Sequence, residues 1–296
     1  LIVYREGSAA DRDAVLALRR RCFPDDDVEK QDPRFWDWEF GQGRLFVAMS
    51  DGRPVAHLGF VPQTYAFDGE LVRGALAVDA MTDPAFRRQG IFRKLAAFSR
   101  DAIRDDYALS TAWQIRRSVL PGMEENGWRG VAWAPVFAKP LVLARGSSGS
   151  SELSGVPREF GPVPGVIGAV QDLGWRFGAN PLWRYDVVSS ANARIVTRRT
   201  TLRGFDTLAI ADLAWTDRRE AKALLRDACA RGKAAGATLA AALVTMRHPA
   251  LPLLLAAGFL PAPHRFRLLV NVFDPTLIPR ATRGPWALLW GDTDHL

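Results

Sequence analysis

Between Leu76 and Arg104 the chain reads LAVDAMTDPAFRRQGIFRKLAAFSRDAIR, a run whose residue types and spacing suit the capture of an anion. From Pro84 to Arg100 it carries five cations and no acid. The apolar residues before Thr82-Asp83-Pro84 predict a strand, and Arg87-Arg88-Gln89-Gly90 a basic turn. Ile91, Leu95, Phe98 and Ala102 then predict the inner face of a helix. A strand that delivers such a turn into a helix N-terminus offers backbone N–H groups without partners and the positive end of the helix dipole. Gly90, with no Cβ, lets the backbone approach a phosphate closely. A pyrophosphate would suit this arrangement, and a solvated basic turn ahead of an ordinary core helix is the plain alternative.

The elements that would position this turn follow in order. Residues 1–6 predict a strand, and Ala9 to Cys22 an amphipathic helix with Ser8 or Asp11 near its N-cap and Val15, Leu18 and Cys22 inward. Asp32 to Phe40 gathers Phe35, Trp36, Trp38 and Phe40 on a short helix or turn. A meander comes next: Arg44 to Met49, a turn at Asp51-Gly52, Pro54 to Gln63, a turn at Asp68-Gly69, and Leu71 to Met81. Beyond the basic turn and its helix, Tyr107 to Trp113 reads as a strand, and Val119 to Asn126 as a short helix ended by Gly127-Trp128. Val136 to Leu143 closes the set.

Pro84-Ala85-Phe86-Arg87-Arg88-Gln89-Gly90-Ile91 resembles the acyl-CoA-binding motif of the GNAT superfamily of N-acyltransferases, Arg/Gln-x-x-Gly-x-Gly/Ala after a strand. Arg87 and Gly90 match its first and fourth positions, and Phe92 stands where the family has Gly or Ala. The order of elements is the one a GNAT domain has. The resemblance implies an α/β (α+β) fold, a mixed, mostly antiparallel sheet flanked by helices. It implies acetyl-CoA or a longer acyl-CoA as co-substrate, with the backbone from Arg88 to Ile91, Gln89 and Gly90 included, on the pyrophosphate and Arg87 adding charge. Ala80, Met81 and Thr82 would pair with the pantetheine arm, one of their N–H groups polarising the thioester carbonyl. The aromatic cluster of residues 35–40 would be core or a wall of the acceptor site. Where the family pattern has the tyrosine that protonates the leaving thiolate, this chain has Met123. Tyr107, a water, or no acid at all would then serve, since a thiol of moderate pKa leaves as the thiolate near neutral pH.

The 296 residues, 48% hydrophobic and 24% charged, have the composition of a globular protein with room for two domains. No apolar run approaches the ~18 residues of a membrane span, and Leu1 to Tyr4 is too short for a signal peptide, so a cytoplasmic protein is expected. Cys22, Cys229 and the four histidines are scattered, which predicts neither disulfides nor metal. The net charge of +7 is uneven: 21 cations against 20 acids in residues 1–150, and 18 against 12 in residues 151–296. An anionic acceptor or an arginine-rich solvated surface would explain the surplus.

Gly and Ser dominate from Ala144 onward, which predicts a flexible linker over 146–165 between domains 1–145 and 166–296. The second half repeats the first. Trp38-x-Phe40-Gly41 recurs as Trp175-x-Phe177-Gly178, Asp79 as Asp212, Thr82-Asp83 as Thr216-Asp217, and Gly127-Trp128 as Gly258-Phe259. Two tandem GNAT-like domains are expected, with the closing strand of the second at His264 to Phe273. At the spacing of the aspartates, Arg87 falls on Glu220 and Gly90 on Ala223, so the second copy would present a carboxylate and a Cβ to a phosphate. It should not bind CoA. The apolar tail from Pro285, with Trp286 and Trp290 and an acidic end, is expected to dock on the body.

Acyl transfer to a primary amine is the expected reaction, with a sugar, lipid-like or other small molecule as acceptor. Asp79 is the nearest carboxylate on the strand and the candidate general base, unless it orients the neighbouring turn, as its recurrence at Asp212 suggests. Two other classes stay open: a Fem-type transferase fed by aminoacyl-tRNA, and a non-catalytic CoA-binding module. The chain lacks the alternation of aromatic and basic residues that marks nucleic-acid surfaces, which counts against RNA.

Overall fold

A computed structural model describes residues 1–25, 28–114, 120–143 and 160–293. The elements of the first half are β1 (Val3–Glu6), α1 (Arg12–Cys22), α2 (Pro33–Phe40), β2 (Arg44–Ser50), β3 (Arg53–Phe67), β4 (Glu70–Thr82), α3 (Ile91–Ile103), β5 (Leu109–Gln114), α4 (Leu120–Glu124) and β6 (Arg129–Pro140). Those of the second are β7 (Ile167–Val170), β8 (Tyr185–Ser189), β9 (Ala193–Leu202), β10 (Phe205–Trp215), α5 (Arg218–Ala234), β11 (Leu239–Leu243), α6 (Leu251–Ala256), β12 (Leu260–Val272) and α7 (Ile278–Arg283). Most of the expected 146–165 linker, the expected start of α4 at Val119 and the tail beyond Thr293 lie outside the described residues.

All twelve strands form one mixed, mostly antiparallel sheet in the order β1-β2-β3-β4-β5-β12-β6-β11-β10-β9-β8, with β7 added to the end of β3. The two turns at Asp51-Gly52 and Asp68-Gly69 close the hairpins as expected, with all four residues at positive φ. The closing strands are exchanged between the halves. β12 pairs with β5 from Arg267↔Gln114 to Val272↔Leu109, and β6 pairs with β11. β6 and β12 then pair antiparallel with each other at the centre of the sheet. Strand alternation alone cannot specify this exchange, because β6 and β12 offer similar edges to either neighbour.

Some of the residues that recur in the sequence take comparable places in the structure. Gly127 (φ +91°) and Gly258 (φ +88°) end α4 and α6, and each is followed by a buried aromatic, Trp128 and Phe259. Trp38 and Trp175 stack on each other with ring centroids 4.6 Å apart, and Trp38 Nε1 donates to the Trp175 carbonyl at 3.1 Å. The recurring tryptophans thus meet across the boundary between the halves.

The buried face of α3 differs from the expected one. Ile91, Leu95, Ala96, Ser99 and Ile103 are buried against β2 to β4, whereas Phe98 is 39% exposed and lies edge-on to Phe46. Small Ala96 and Ser99 let the helix sit close to the sheet, and Ser99 Oγ donates to the Ala96 carbonyl at 3.1 Å.

The tail docks, with Trp286 and Trp290 buried. β10 and β11 pair only from Thr207↔Leu239 to Ala209↔Ala241. Past that point Leu289 bridges Val244, Thr245 N donates to the Leu288 carbonyl at 3.0 Å, and Gly291 lies so close to the Ala211 carbonyl that a Cβ there would sit 2.9 Å from it. The tail therefore occupies the opening between the two strands. Asp292 accepts from Leu289 N at 2.7 Å and from Gln171. Burial pushes its carboxyl up to about 7, with Asp212 adding in the same direction and Arg176 opposing. A folded pKa above the unfolded value means stability that is full below about pH 4 and is lost as pH rises toward 7. Asp292→Asn keeps one acceptor oxygen and removes the titration. Its melting temperature should gain on the wild type between pH 5 and pH 8, by up to ~1.4 kcal/mol of stability per pKa unit relieved. A difference in melting temperature that is the same at both pH values would contradict this.

Candidate acyl-CoA site

β4 carries the site because it has a partner on only one edge where it matters. β3 covers one side from Phe67↔Glu70 to Ala56↔Thr82. On the other side the parallel partner β5 pairs only from Gly74↔Leu109 to Leu76↔Thr111, after which the strands splay. From Ala77 to Thr82 the outer edge of β4 has no strand beside it among the described residues, and Ala80 is exposed. An open edge of this kind can accept an extended ligand as an added strand.

Within that edge the register shifts between His57↔Met81 and Gly59↔Val78, and Asp79 sits at φ +50°. This is a β-bulge, which turns one peptide out of the ladder. His57 Nδ1 is 2.9 Å from the Asp79 carbonyl, so that nitrogen carries the proton and donates. Burial holds His57 below its ordinary pKa, although Asp79 opposes the shift, and the ring is neutral. The Asp79–Ala80 peptide is trans, so the Ala80 N–H points away from that carbonyl.

The Asp79 side chain points to a different task from proton transfer. It is 8% exposed and paired with Arg19 of α1, and Lys30 Nζ lies 3.9 Å away. Lys30 is also 3.8 Å from Glu39 of α2. Burial opposes the charge on Asp79, but Arg19 and then Lys30 outweigh it and hold the carboxyl below its ordinary range. Such a carboxylate is a weak base, with one oxygen engaged by two cations. Asp212 repeats the pattern in the second half: it lies at a register shift of β10 and accepts from Arg194 Nη2 at 2.8 Å and Nε at 3.0 Å.

After Thr82, Asp83 caps a short 3-10 turn (Pro84–Phe86) by accepting from Ala85 N at 3.1 Å. Arg21 Nε pairs with the same carboxylate at 2.9 Å. Arg87 Nε reaches back to the Thr82 carbonyl at 3.1 Å, and Gln89 Nε2 to the Ala85 carbonyl at 3.3 Å. Arg88 (φ +62°) and Gly90 (φ +72°) both take the left-handed conformation, and Gly90 is the N-cap of α3 with no side chain of its own to satisfy the helix N–H groups. Arg87, Arg88 and Gln89 are exposed. The turn, the helix end and the open strand edge thus adjoin as the sequence predicts, and they fit a pyrophosphate followed by an extended arm.

The other expected participants lie elsewhere. Met123 is buried in the cluster around Ile91 and Leu95, and Phe92 packs over Gly122, 3.6 Å from where a Cβ would stand. Tyr107 precedes β5 at the closed end of the splay, on the order of 20 Å along the strands from Ala80. In the second half Glu220 and Ala223 are not on a turn. Only Thr216 and Asp217 separate β10 from α5, with Asp217 capping Arg219 N at 2.7 Å, so the connection has no room for the basic loop. Glu220 instead accepts from Asn192 N and Nδ2, each at 2.8 Å, and from Ser190 Oγ. Missed in the sequence were Arg19, Lys30 and His57: His57 stands out as a polar residue in an apolar stretch of β3, whereas Arg19, beside Arg20 and Arg21, and Lys30, between Glu29 and Gln31, carry no signal that sets them apart from solvated charges.

A family model described as an acetyltransferase (GNAT) domain matches residues 3–124. No curated protein sequence matches the chain. Among solved structures, a GCN5-related N-acetyltransferase from Kribbella flavida superposes with TM-score 0.67 at 15% identity, covering 96% of this chain and 74% of that one. A GCN5-related N-acetyltransferase from Anabaena variabilis gives 0.69 at 12%, covering 96% and 75%. Saccharomyces cerevisiae N-myristoyltransferase with bound myristoyl-CoA gives 0.58 at 11%, covering 92% and 79%. At these identities the superpositions speak for the fold, and the matched segment contains β4, the basic turn and α3. Residues 3–124 belong to the GNAT acetyltransferase family, and the chain takes the fold of its N-acyltransferases.

Proposed function

We propose that this acyl-CoA-dependent N-acyltransferase moves an acetyl group from acetyl-CoA to a primary amine. One observation carries the reading: an acid-free basic turn, ended by Gly90 at a helix N-terminus, adjoins a strand edge left open by the splay of β4 from β5. In this reading the N–H groups from Arg88 to Ile91 hold the pyrophosphate, Arg87 and Arg88 add charge, and Gln89 braces the turn. Ala80 to Thr82 align the extended arm, and the Ala80 N–H, set by the bulge, polarises the thioester carbonyl. The amine attacks that carbonyl, the C–N bond forms, the C–S bond breaks, and CoA leaves as the thiolate while the amine gives its proton to water.

Asp79 enters as a positioning residue. Through Arg19 and Lys30 it ties α1 and the segment before α2 to the bulge, and through its own carbonyl it binds His57. The second half supports the first: its equivalent opening holds the tail, and the end of α5 carries Asp217 and Glu220. Release of free thiol from acetyl-CoA, followed with a panel of primary amines, tests the reading. Amine-dependent thiol release is expected. Binding of acetyl-CoA without release in the presence of any amine would favour a non-catalytic module, and activity only with aminoacyl-tRNA would favour the Fem-type alternative.

A further inference from the structure

Between His57↔Met81 and Gly59↔Val78, Asp79 and Ala80 of β4 stand opposite Leu58 alone, and Asp79 takes φ +50°. The peptide between them has left the regular ladder, so strand pairing does not fix its orientation. His57 does. Its side chain is wholly buried, with 0% exposure, and Nδ1 donates to the Asp79 carbonyl at 2.9 Å. Nε2 has no hydrogen-bond partner among the described residues, and Phe40 meets the ring edge-on with centroids 5.5 Å apart. Burying an imidazole with one nitrogen unpaired is costly, and the bond to the bulge is what the fold gains for it.

The second half shows a different arrangement where the strand edge is closed. Asp212 repeats Asp79, and two residues further on Ala214 pairs with Arg194 as Met81 pairs with His57. Arg194 therefore takes the register place of His57. It pairs with the Asp212 carboxylate, and no residue of β10 has a positive φ. On that side the tail fills the opening beside the strand. The left-handed aspartate and the histidine on its carbonyl thus occur together, in the half whose edge is open to an extended ligand.

We infer that His57 is a positioning residue for acyl transfer: its Nδ1–H holds the Asp79 carbonyl and so aims the Ala80 N–H at the thioester oxygen. The carbonyl and N–H of one trans peptide point opposite ways, so whatever anchors the first directs the second. A hydrogen bond accepted by the carbonyl also polarises the amide and makes its N–H a stronger donor. Negative charge grows on the thioester oxygen only as the amine attacks, so the benefit falls on the transition state more than on binding. His57 itself neither gives nor takes a proton. Burial, with Arg19 in the same direction, holds its pKa below the ordinary value although Asp79 opposes, and the ring stays neutral with its proton on Nδ1.

The role of His57 rests on the acyl-CoA reading, and calorimetric binding of acetyl-CoA to the wild type checks that reading first. The infrared stretch of the bound thioester carbonyl, isotope-labelled in acetyl-CoA, then reports the hydrogen bond without any need for an acceptor. It should lie at higher frequency in His57→Leu than in the wild type, with the affinity for acetyl-CoA unchanged. It should return toward the wild-type value in His57→Asn, whose Nδ2 donates from the place of Nδ1. Amine-dependent thiol release should fall about tenfold or more in His57→Leu, in kcat rather than in KM for acetyl-CoA, and recover in His57→Asn. If neither variant folds, the wild type decides: the Nδ1 proton of His57 should appear in nuclear magnetic resonance spectra and move downfield when acetyl-CoA binds, since an amide whose N–H is donating accepts more strongly at its carbonyl. A carbonyl stretch unchanged in His57→Leu, a loss carried by acetyl-CoA affinity alone, or a wild-type His57 that is protonated on Nε2 or does not respond to acetyl-CoA would overturn the role while leaving the acyl-CoA site intact. Absence of acetyl-CoA binding to the wild type would overturn the acyl-CoA reading itself, and the role with it.

Discussion

Asp79→Asn should lower the midpoint of thermal unfolding by on the order of 10 °C, while turnover per folded molecule falls less than tenfold. The carboxylate is buried between Arg19 and Lys30, and removing one partner of such a cluster costs about 3–5 kcal/mol, because a cation is left in a poorly solvated site without its counter-charge. Lys30 keeps Glu39, so the loss falls chiefly on Arg19. Loss of a general base would give the opposite pattern, an unchanged melting temperature with turnover down by roughly 10²–10⁴. The pH dependence of kcat/KM adds a second reading. Arg19 and Lys30 hold the Asp79 carboxyl below its ordinary range, so it stays ionised from pH 5 upward and no limb of the profile there belongs to it. A variant that melts normally but loses a hundredfold in turnover would return Asp79 to the role of base.

Gly90→Glu should abolish acetyl-CoA binding, with an affinity loss of about a hundredfold or more. Gly90 caps α3 at φ +72°, and only Arg93 Nη2 comes within 4.0 Å of where its Cβ would be. There is space for a side chain, so the fold should survive with a loss of about 1 kcal/mol for the left-handed backbone. The glutamate would place a negative charge at the helix N-terminus, where the phosphates are expected, and repulsion at about 4 Å is worth ~4 kcal/mol near a protein surface. Ala223→Glu, on the exposed side of α5 in the second half, is the control. It should leave binding unchanged, since that helix starts directly after its strand and has no loop to cradle an anion. Unchanged affinity in Gly90→Glu would remove the turn from the site.

The basic turn could be read in the sequence because everything that makes it is local: a strand, a proline, two arginines and a glycine within fifteen residues. The hairpins at Asp51-Gly52 and Asp68-Gly69 were legible for the same reason, since a two-residue turn fixes its own register. The bulge was not, because it exists only in the pairing of β4 with β3, and the charges that stabilise it come from Arg19 and Lys30, far away along the chain. Periodicity put Phe98 on the inner face of α3. The close approach of the helix to the sheet favours Ala96 and Ser99 there and turns the large ring outward. The repeat was legible from Trp38 and Trp175, but not that the two rings would stack, nor that β6 and β12 would change places.

Calorimetric titration of the wild-type protein with acetyl-CoA tests most directly whether the splay of β4 and β5 is the acyl-CoA site. One site per chain is expected, because among the described residues only the first half combines an open strand edge with the basic turn. Two sites per chain, or no binding of acetyl-CoA or any longer acyl-CoA, would contradict it.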